Sequence, residues 1–126
     1  MLATFQAVEH RPPATVPVGW GPDYEVLDEP THTLYVANVH GDNTTGANGE
    51  LGGTVSVINT EACNGAHLAA CHRTTVATLP TGEYPDGLAV DPWTHTLYVA
   101  NDGDNNVSVI DTAKCDATDK TGCKTR

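Results

Sequence analysis

Apolar residues in this chain occur in short runs, separated by segments rich in glycine, asparagine and aspartate. The runs are strongly β-branched, as in Val55-Ser56-Val57-Ile58, and none continues with an apolar spacing of helical period. Runs of this length bounded by turn residues predict β-strands, so we expect an all-β chain. The predicted strands cover residues 14–18, 24–28, 33–38 and 54–59, then 74–79, 86–91, 96–101 and 106–111.

The sequence contains an internal repeat. The segment Thr-His-Thr-Leu-Tyr-Val-Ala-Asn occurs at 31–38 and again, unchanged, at 94–101, which is 63 residues later. The run Val-Ser-Val-Ile at 55–58 returns at 107–110 after only 52 residues, so the first copy carries an insertion of 11 residues within 39–53. A repeat of about 52 residues falls in the range that indicates solenoids, propellers or arrays.

The eight predicted strands fall into two groups of four, which is typical of the four-stranded antiparallel blades of a β-propeller. Residues 1–13 show no periodicity and are predicted to be a tail. Residues 14–73 then comprise an outer strand and the first blade repeat, with an inserted loop at 39–53, and residues 74–126 comprise the second blade repeat. We therefore expect two blades, which belong to a larger propeller or are completed by oligomerisation.

The composition is that of a globular domain, and it excludes some classes of partner. The chain has 126 residues, with 6 Lys and Arg against 16 Asp and Glu, for a formal net charge of −10. This charge repels nucleic acid. No apolar run approaches the roughly 20 residues of a membrane-spanning helix, and the first residues lack the features of a signal peptide. We expect neither nucleic-acid binding nor membrane insertion.

The four cysteines form two pairs of equal spacing, Cys63 with Cys71 and Cys115 with Cys123. A local disulfide in each repeat is the simplest pairing, and closing such a loop stabilises the fold by roughly 2.5 kcal/mol. A four-thiolate zinc site is the alternative, but structural zinc usually takes cysteines that lie closer together. Disulfides are favoured, and they indicate an oxidising compartment.

The second repeat resembles the YVTN family of β-propeller repeats. The resemblance rests on Leu-Tyr-Val-Ala-Asn, a polar turn and Val-Ser-Val-Ile-Asp-Thr, preceded by Gly-x-x-Pro-x-Gly-Leu-Ala-Val-Asp-Pro, all within residues 82–112. The cysteine hairpin after the Val-Ile-Asp-Thr strand is similar to a variant found in secreted actinobacterial members. The resemblance implies a propeller fold and an extracellular or cell-surface location. In the first repeat it weakens, because Glu25 places a charge on the innermost strand.

Two blades alone would leave large apolar faces exposed, since propellers have about 4 to 8 blades. Three interpretations compete: a fragment whose remaining blades lie in a longer chain, a self-assembling homo-oligomer, or an unusual two-blade sandwich. Residues 14–18 are predicted to be an outer strand with no blade of its own, and the second repeat lacks an outer strand. Three or four copies arranged head-to-tail would therefore close a ring of six or eight blades, as a trimer or a tetramer.

We expect a ligand-binding face where the connections between strands surround the predicted channel. The residues assigned to it are aromatic, acidic or otherwise polar: Trp20, Asp23, Tyr24, Glu25, His40, Asp42, Asn43, Glu83, Tyr84 and Asp86. Aromatic and carboxylate groups around a concave opening suit a polar small molecule, a sugar or a cation. The partners considered are a carbohydrate or a protein. The alternative is that turns simply require Asp, Asn and Gly.

Catalytic and metal motifs are sparse. Asp102, Asp104 and Asn105 suggest calcium, the one cofactor considered, but they lack the rest of an EF-hand loop. His32 and His95 recur in both repeats, which favours a shared structural role over metal binding. No nucleophile elbow or phosphate loop is present. We expect a non-catalytic binding or scaffold module, and the alternative is a lyase, hydrolase or lactonase with a divalent metal in the channel.

Overall fold

The computed structural model describes residues 12–41 and 52–123. The described residues form two antiparallel sheets and two single-turn 3-10 helices, Glu29–Thr31 and Cys71–Arg73. The strands are β1 (Pro22–Asp28), β2 (Thr33–Asn38), β3 (Gly52–Asn59), β4 (Thr75–Glu83), β5 (Pro85–Asp91), β6 (Thr96–Asn101) and β7 (Asn106–Asp111). The predicted all-β class is confirmed.

Each repeat contributes most of one sheet. The first sheet has the order β1-β2-β3-β4 and the second has the order β5-β6-β7. Strand β4 pairs with β3 along residues 75–83, although in the sequence it begins the second repeat. The boundary between the sheets therefore lies at Tyr84, about ten residues after the boundary between the repeats.

The predicted strand at 14–18 is wrong, since residues 12–19 belong to no strand. Pro17 and Val18 instead line a groove together with Ser56 and Thr78, on a face of the first sheet. A β-strand forms only beside an open sheet edge, and this segment crosses a face. A hydrogen bond helps to hold it there, in which the Thr75 hydroxyl donates to the Pro17 carbonyl at 2.6 Å.

The hydrophobic core lies between the two sheets. In the first sheet, Tyr35 pairs with Val57 and Ala37 with Val55, so these side chains project from one face. The second sheet covers that face with Leu97, Val99 and Ile110, which all belong to the same buried cluster. Each large apolar side chain buried in this way contributes about 1.5–3 kcal/mol.

Both predicted disulfides are present: Cys63–Cys71 with an S–S length of 2.03 Å and Cys115–Cys123 with 2.10 Å. The second hairpin also packs into the core, where both of its cysteines are buried. The Tyr35 hydroxyl donates to the Cys115 carbonyl at 2.7 Å, and the Ala117 amide donates to the Thr33 hydroxyl at 2.9 Å. This hairpin therefore ties the second sheet to the first.

The repeated histidines share a backbone role. His32 and His95 both have φ 53°, in the left-handed region. Their carbonyls accept equivalent hydrogen bonds, from the Thr60 amide at 2.9 Å and from the Thr112 amide at 2.8 Å. Histidine is one of the residues that tolerate this conformation comparatively well. The recurrence of these residues agrees with the predicted structural role.

Candidate ligand-binding site

Two carboxylates lie at matching irregularities of β1 and β5, the first strand of each sheet. The register between β1 and β2 shifts between Pro22 and Tyr24, which leaves Asp23 as the extra residue of a β-bulge. The register between β5 and β6 shifts in the same way around Asp86. Bulges redirect side chains and are common next to functional sites. Because β1 and β5 are neighbours across the two sheets, the bulges bring the two carboxylates to one end of the molecule.

The segments that lead into β1 and β5 follow the same path in both repeats. The Val39 amide donates to the Gly21 carbonyl at 2.9 Å, and the Asp102 amide donates to the Tyr84 carbonyl at the same distance. In a second matched pair of hydrogen bonds, the His40 amide donates to the Trp20 carbonyl and the Gly103 amide donates to the Glu83 carbonyl, at 3.0 Å in each repeat. These backbone bonds fix the residues around each bulge.

Tyr84 adopts a conformation that is costly for a bulky residue. Its φ is 51°, and the equivalent position of the first repeat is Gly21 with φ 69°. The repeat therefore requires the left-handed region here, which glycine adopts readily and tyrosine does not. Non-glycine residues held in this region cost of order 1–3 kcal/mol and cluster at functional sites. The fold holds Tyr84 here despite that strain.

His40 lies beside Tyr84. The two rings meet edge to face, with centroids 6.0 Å apart and planes inclined by 81°. A side chain at Gly21 would approach the His40 ring to 3.0 Å, so the glycine leaves room for the histidine. The Nδ1 atom of His40 is buried and has no hydrogen-bond partner within the described part of the chain. Buried polar atoms without a partner are uncommon, and the described residues contain three others, in Asp28, Asn38 and Thr112.

The electrostatics of the site depend on the two carboxylates. Partial burial and the Asp86 carboxylate raise the pKa of Asp23 above its ordinary value of 3.8, while its own backbone and His40 act in the opposite direction. Asp23 is nevertheless largely exposed, so this shift is moderated by solvent. We call Asp23, His40, Tyr84 and Asp86 the mouth cluster.

The remaining predicted residues surround the mouth cluster or lie apart from it. Trp20 and Tyr24 are exposed aromatic residues on either side of the first bulge. Glu25 is exposed on β1, so its carboxylate remains solvated. Glu83 accepts the Gly103 amide through its backbone, next to Tyr84. Asp42 and Asn43 lie outside the described residues.

The residues suggested for calcium form the turn between β6 and β7. The Asp104 carboxylate accepts the Glu83 amide at 3.0 Å, and Asn105 is left-handed at φ 55°. Both are ordinary turn roles for these residue types. Across residues 12–41 and 52–123 no three His, Cys, Asp or Glu side chains are grouped as a metal site would require.

No family model, curated protein or solved structure matches this chain. The described part of the chain also contains no helix that is long and apolar enough to span a membrane. The two disulfides are typical of an oxidising, extracellular-type environment.

Sequence reasoning identified the members of the mouth cluster but missed how they are arranged. The sequence does indicate that the two bulges correspond, because Pro-Asp occurs at the start of the first strand of each sheet. The sequence also indicates the strain at Tyr84, since aligning the repeats at an offset of 63 residues places Tyr84 opposite Gly21. The sequence does not indicate the contact between His40 and Tyr84, because that contact joins two different connections whose separation depends on how the sheets pack.

Proposed function

We propose that this protein is a non-catalytic, extracellular binding module of the YVTN β-propeller type, and that it binds a carbohydrate at the mouth cluster. The proposal rests on the juxtaposition of two bulged carboxylates with the His40–Tyr84 ring pair. Carboxylates accept hydrogen bonds from hydroxyl groups, and aromatic faces cover the apolar side of a sugar ring. Exposed Trp20 and Tyr24 would extend the contact surface.

The strained backbone of Tyr84 supports this function further. A tyrosine retained where its repeat partner is glycine is better explained by what its ring contacts than by the turn itself. Together the groups of the mouth cluster combine an apolar surface with a few convergent polar atoms, which is typical of small-molecule sites.

Isothermal titration with neutral oligosaccharides of different composition tests the proposal. We expect at least one to bind, and Tyr84→Ala or Asp23→Asn to weaken that binding about tenfold or more. Trp93→Ala is the matched control, because Trp93 is an exposed aromatic residue in the turn between β5 and β6, at the other end of these strands. Loss of binding in this control as well as in the mouth variants would contradict the proposed site.

A basic peptide provides the discriminating probe. Carboxylates beside aromatic rings also attract cations, and the chain carries a formal net charge of −10. Salt-sensitive binding of the peptide, without binding of any sugar, would replace the carbohydrate by a protein ligand. The alternative of a metal-dependent lyase or hydrolase is separated by metal analysis of the purified chain, since a stoichiometric divalent metal would count heavily against a purely binding role.

A further inference from the structure

The second sheet exposes an apolar face whose equivalent in the first sheet is completely buried. The residues of the first sheet with an exposed fraction of zero include Tyr35, Val55 and Val57. The repeat partners of these three in the second sheet are exposed by 41, 54 and 68%, in the order Tyr98, Val107 and Val109. We call these last three, together with Thr96, the second-sheet face. What covers the first set is the second sheet itself.

The first sheet carries the complementary surface on its opposite side. We call it the first-sheet face, and its residues are Leu27, which is exposed, Leu34 and Val36, which are half-buried, and Ile58, which is buried. Their repeat partners are Val90, Leu97, Val99 and Ile110, all of which belong to or pack against the core between the sheets. The chain therefore contains the residues of both halves of its internal interface a second time, exposed on the second sheet and partly covered on the first.

The cysteine hairpins extend this match to hydrogen bonds. Within the chain, the Tyr35 hydroxyl bonds to the Cys115 carbonyl, and the Thr33 hydroxyl accepts the Ala117 amide. The repeat partners are Tyr98 with Cys63 and Thr96 with Gly65. Both hairpins have the same local geometry, since the Ala66 amide bonds to Asn64 Oδ1 at 2.9 Å and the Thr118 amide bonds to Asp116 Oδ1 at 2.8 Å.

Residues 12–19 already follow the path of an outer strand from a preceding sheet. Gly19 lies so close to the Asn38 side chain that a Cβ would approach it to 2.8 Å, and Gly82 at the end of β4 lies equally close to Asn101, at 2.7 Å. Pro12 and Pro13 border the first hairpin across a groove of ≈ 770 Å³. The repeat partner of Pro13 is Val76 in β4, which packs against the core cluster that contains Cys115 and Cys123.

We infer that a second copy of this chain docks head-to-tail, with its first-sheet face on the second-sheet face of the first copy. The Tyr98 hydroxyl then donates to the Cys63 carbonyl of the partner copy, as Tyr35 does within the chain. Residues 14–18 of that partner pair with the outer edge of β7, which has no strand beside it among the described residues. Such a heterologous contact closes as a ring of three or four copies.

Charge opposes this association and gives it a signature. Each copy carries a formal net charge of −10, so approaching copies repel each other. Salt screens that repulsion, while the apolar contact area is unaffected by moderate salt. The assembly therefore strengthens as the ionic strength rises, whereas a contact based on ion pairs would weaken. This interface does not depend on ligand binding at the mouth cluster.

Sedimentation velocity on the whole chain and two variants tests the interface. Val109→Asp places a charge on the second-sheet face, and Val36→Asp places one on the first-sheet face. We expect the unmodified chain to form trimers or tetramers, and each variant alone to be monomeric. An equimolar mixture should form a heterodimer, because one intact face of each kind remains. Circular dichroism checks folding, and Leu27→Asp replaces Val36→Asp if the latter does not fold.

Three results would overturn the inference. The unmodified chain could remain monomeric up to about 1 mM and at high salt, in which case its affinity for itself is too weak for a specific assembly. It could form a dimer that Val109→Asp abolishes and the mixture does not restore, which indicates a symmetric contact between two second-sheet faces. It could also associate undiminished in both variants, which would place the contact elsewhere. Restoration by mixing is the result that only a head-to-tail contact produces.

Discussion

The two identical copies of Thr-His-Thr-Leu-Tyr-Val-Ala-Asn lie in different environments. Tyr35 in the first copy is completely buried and donates to the Cys115 carbonyl, whereas Tyr98 in the second copy is 41% exposed. Both strands have the same register with their neighbours, since Tyr35 pairs with Val57 and Tyr98 pairs with Val109. The difference therefore does not arise within either sheet. It arises from what lies on top of the sheet.

The largest expected difference between the copies concerns the hairpins. Replacing both Cys115 and Cys123 by Ala should lower the free energy of unfolding by about 4 kcal/mol, since the loop constraint and the anchoring of Tyr35 are both lost. The same change at Cys63 and Cys71 should cost about 2.5 kcal/mol, the contribution of the loop alone. Urea unfolding of dilute protein measures both. Equal losses would show that the second hairpin does not anchor the sheets.

The next difference concerns the apolar faces. Val57→Ala should lower the free energy of unfolding by about 2 kcal/mol, because it removes fully buried methyl groups and leaves a cavity. Val109→Ala, its repeat partner, should change it by less than about 0.5 kcal/mol in dilute protein. A loss of similar size at both positions in monomeric protein would contradict the assignment of buried and exposed faces.

The smallest expected difference concerns pH and the mouth cluster. The pKa of Asp23 is raised in the folded chain, by partial burial and by Asp86, so ionisation of Asp23 lowers stability above that pKa. The penalty disappears as the pH falls below the ordinary value of 3.8. Asp23→Asn should therefore raise the melting temperature at neutral pH and leave it nearly unchanged at about pH 3.

Asp86→Asn is the companion variant for this effect. It removes the second of the two causes of the shift, and so it should recover part of the gain in stability at neutral pH. Melting curves of the parent chain and both variants, recorded across the acidic range, measure the effect. A lower melting temperature for Asp23→Asn at neutral pH would mean that the carboxylate stabilises the bulge more than its ionisation destabilises it.

The repeat pattern was sufficient to predict the all-β class, the seven strands that form and both disulfides. The repeat pattern could not predict that residues 14–18 form no strand. Their sequence, Ala-Thr-Val-Pro-Val-Gly, closely matches the Ala-Thr-Leu-Pro-Thr-Gly of β4, and the two segments have the same local preferences. β4 becomes a strand because β3 lies beside it, whereas residues 14–18 cross a face. Pairing depends on a neighbouring edge, which local sequence does not encode.

The candidate site shows the same limit. Asp23, His40, Tyr84 and Asp86 were each assigned to one face from their places in the repeat, and the described structure brings them together. The bulges and the left-handed Tyr84 depend on backbone geometry, which only a comparison of Gly21 with Tyr84 could have suggested. Tyr35 and Tyr98 lie in identical eight-residue segments, so local sequence does not indicate which of the two is covered by another sheet.

Hydroxyl-radical footprinting across a range of protein concentrations is the most direct test of the contrast between the buried Tyr35 and the exposed Tyr98. Denatured chain provides the reference in which both rings are oxidised. In dilute protein we expect oxidation of Tyr98 and protection of Tyr35, and at high concentration we expect Tyr98 to become protected as a second copy covers it. Equal oxidation of the two rings in dilute folded protein, or oxidation of Tyr98 that does not change with concentration, would contradict it.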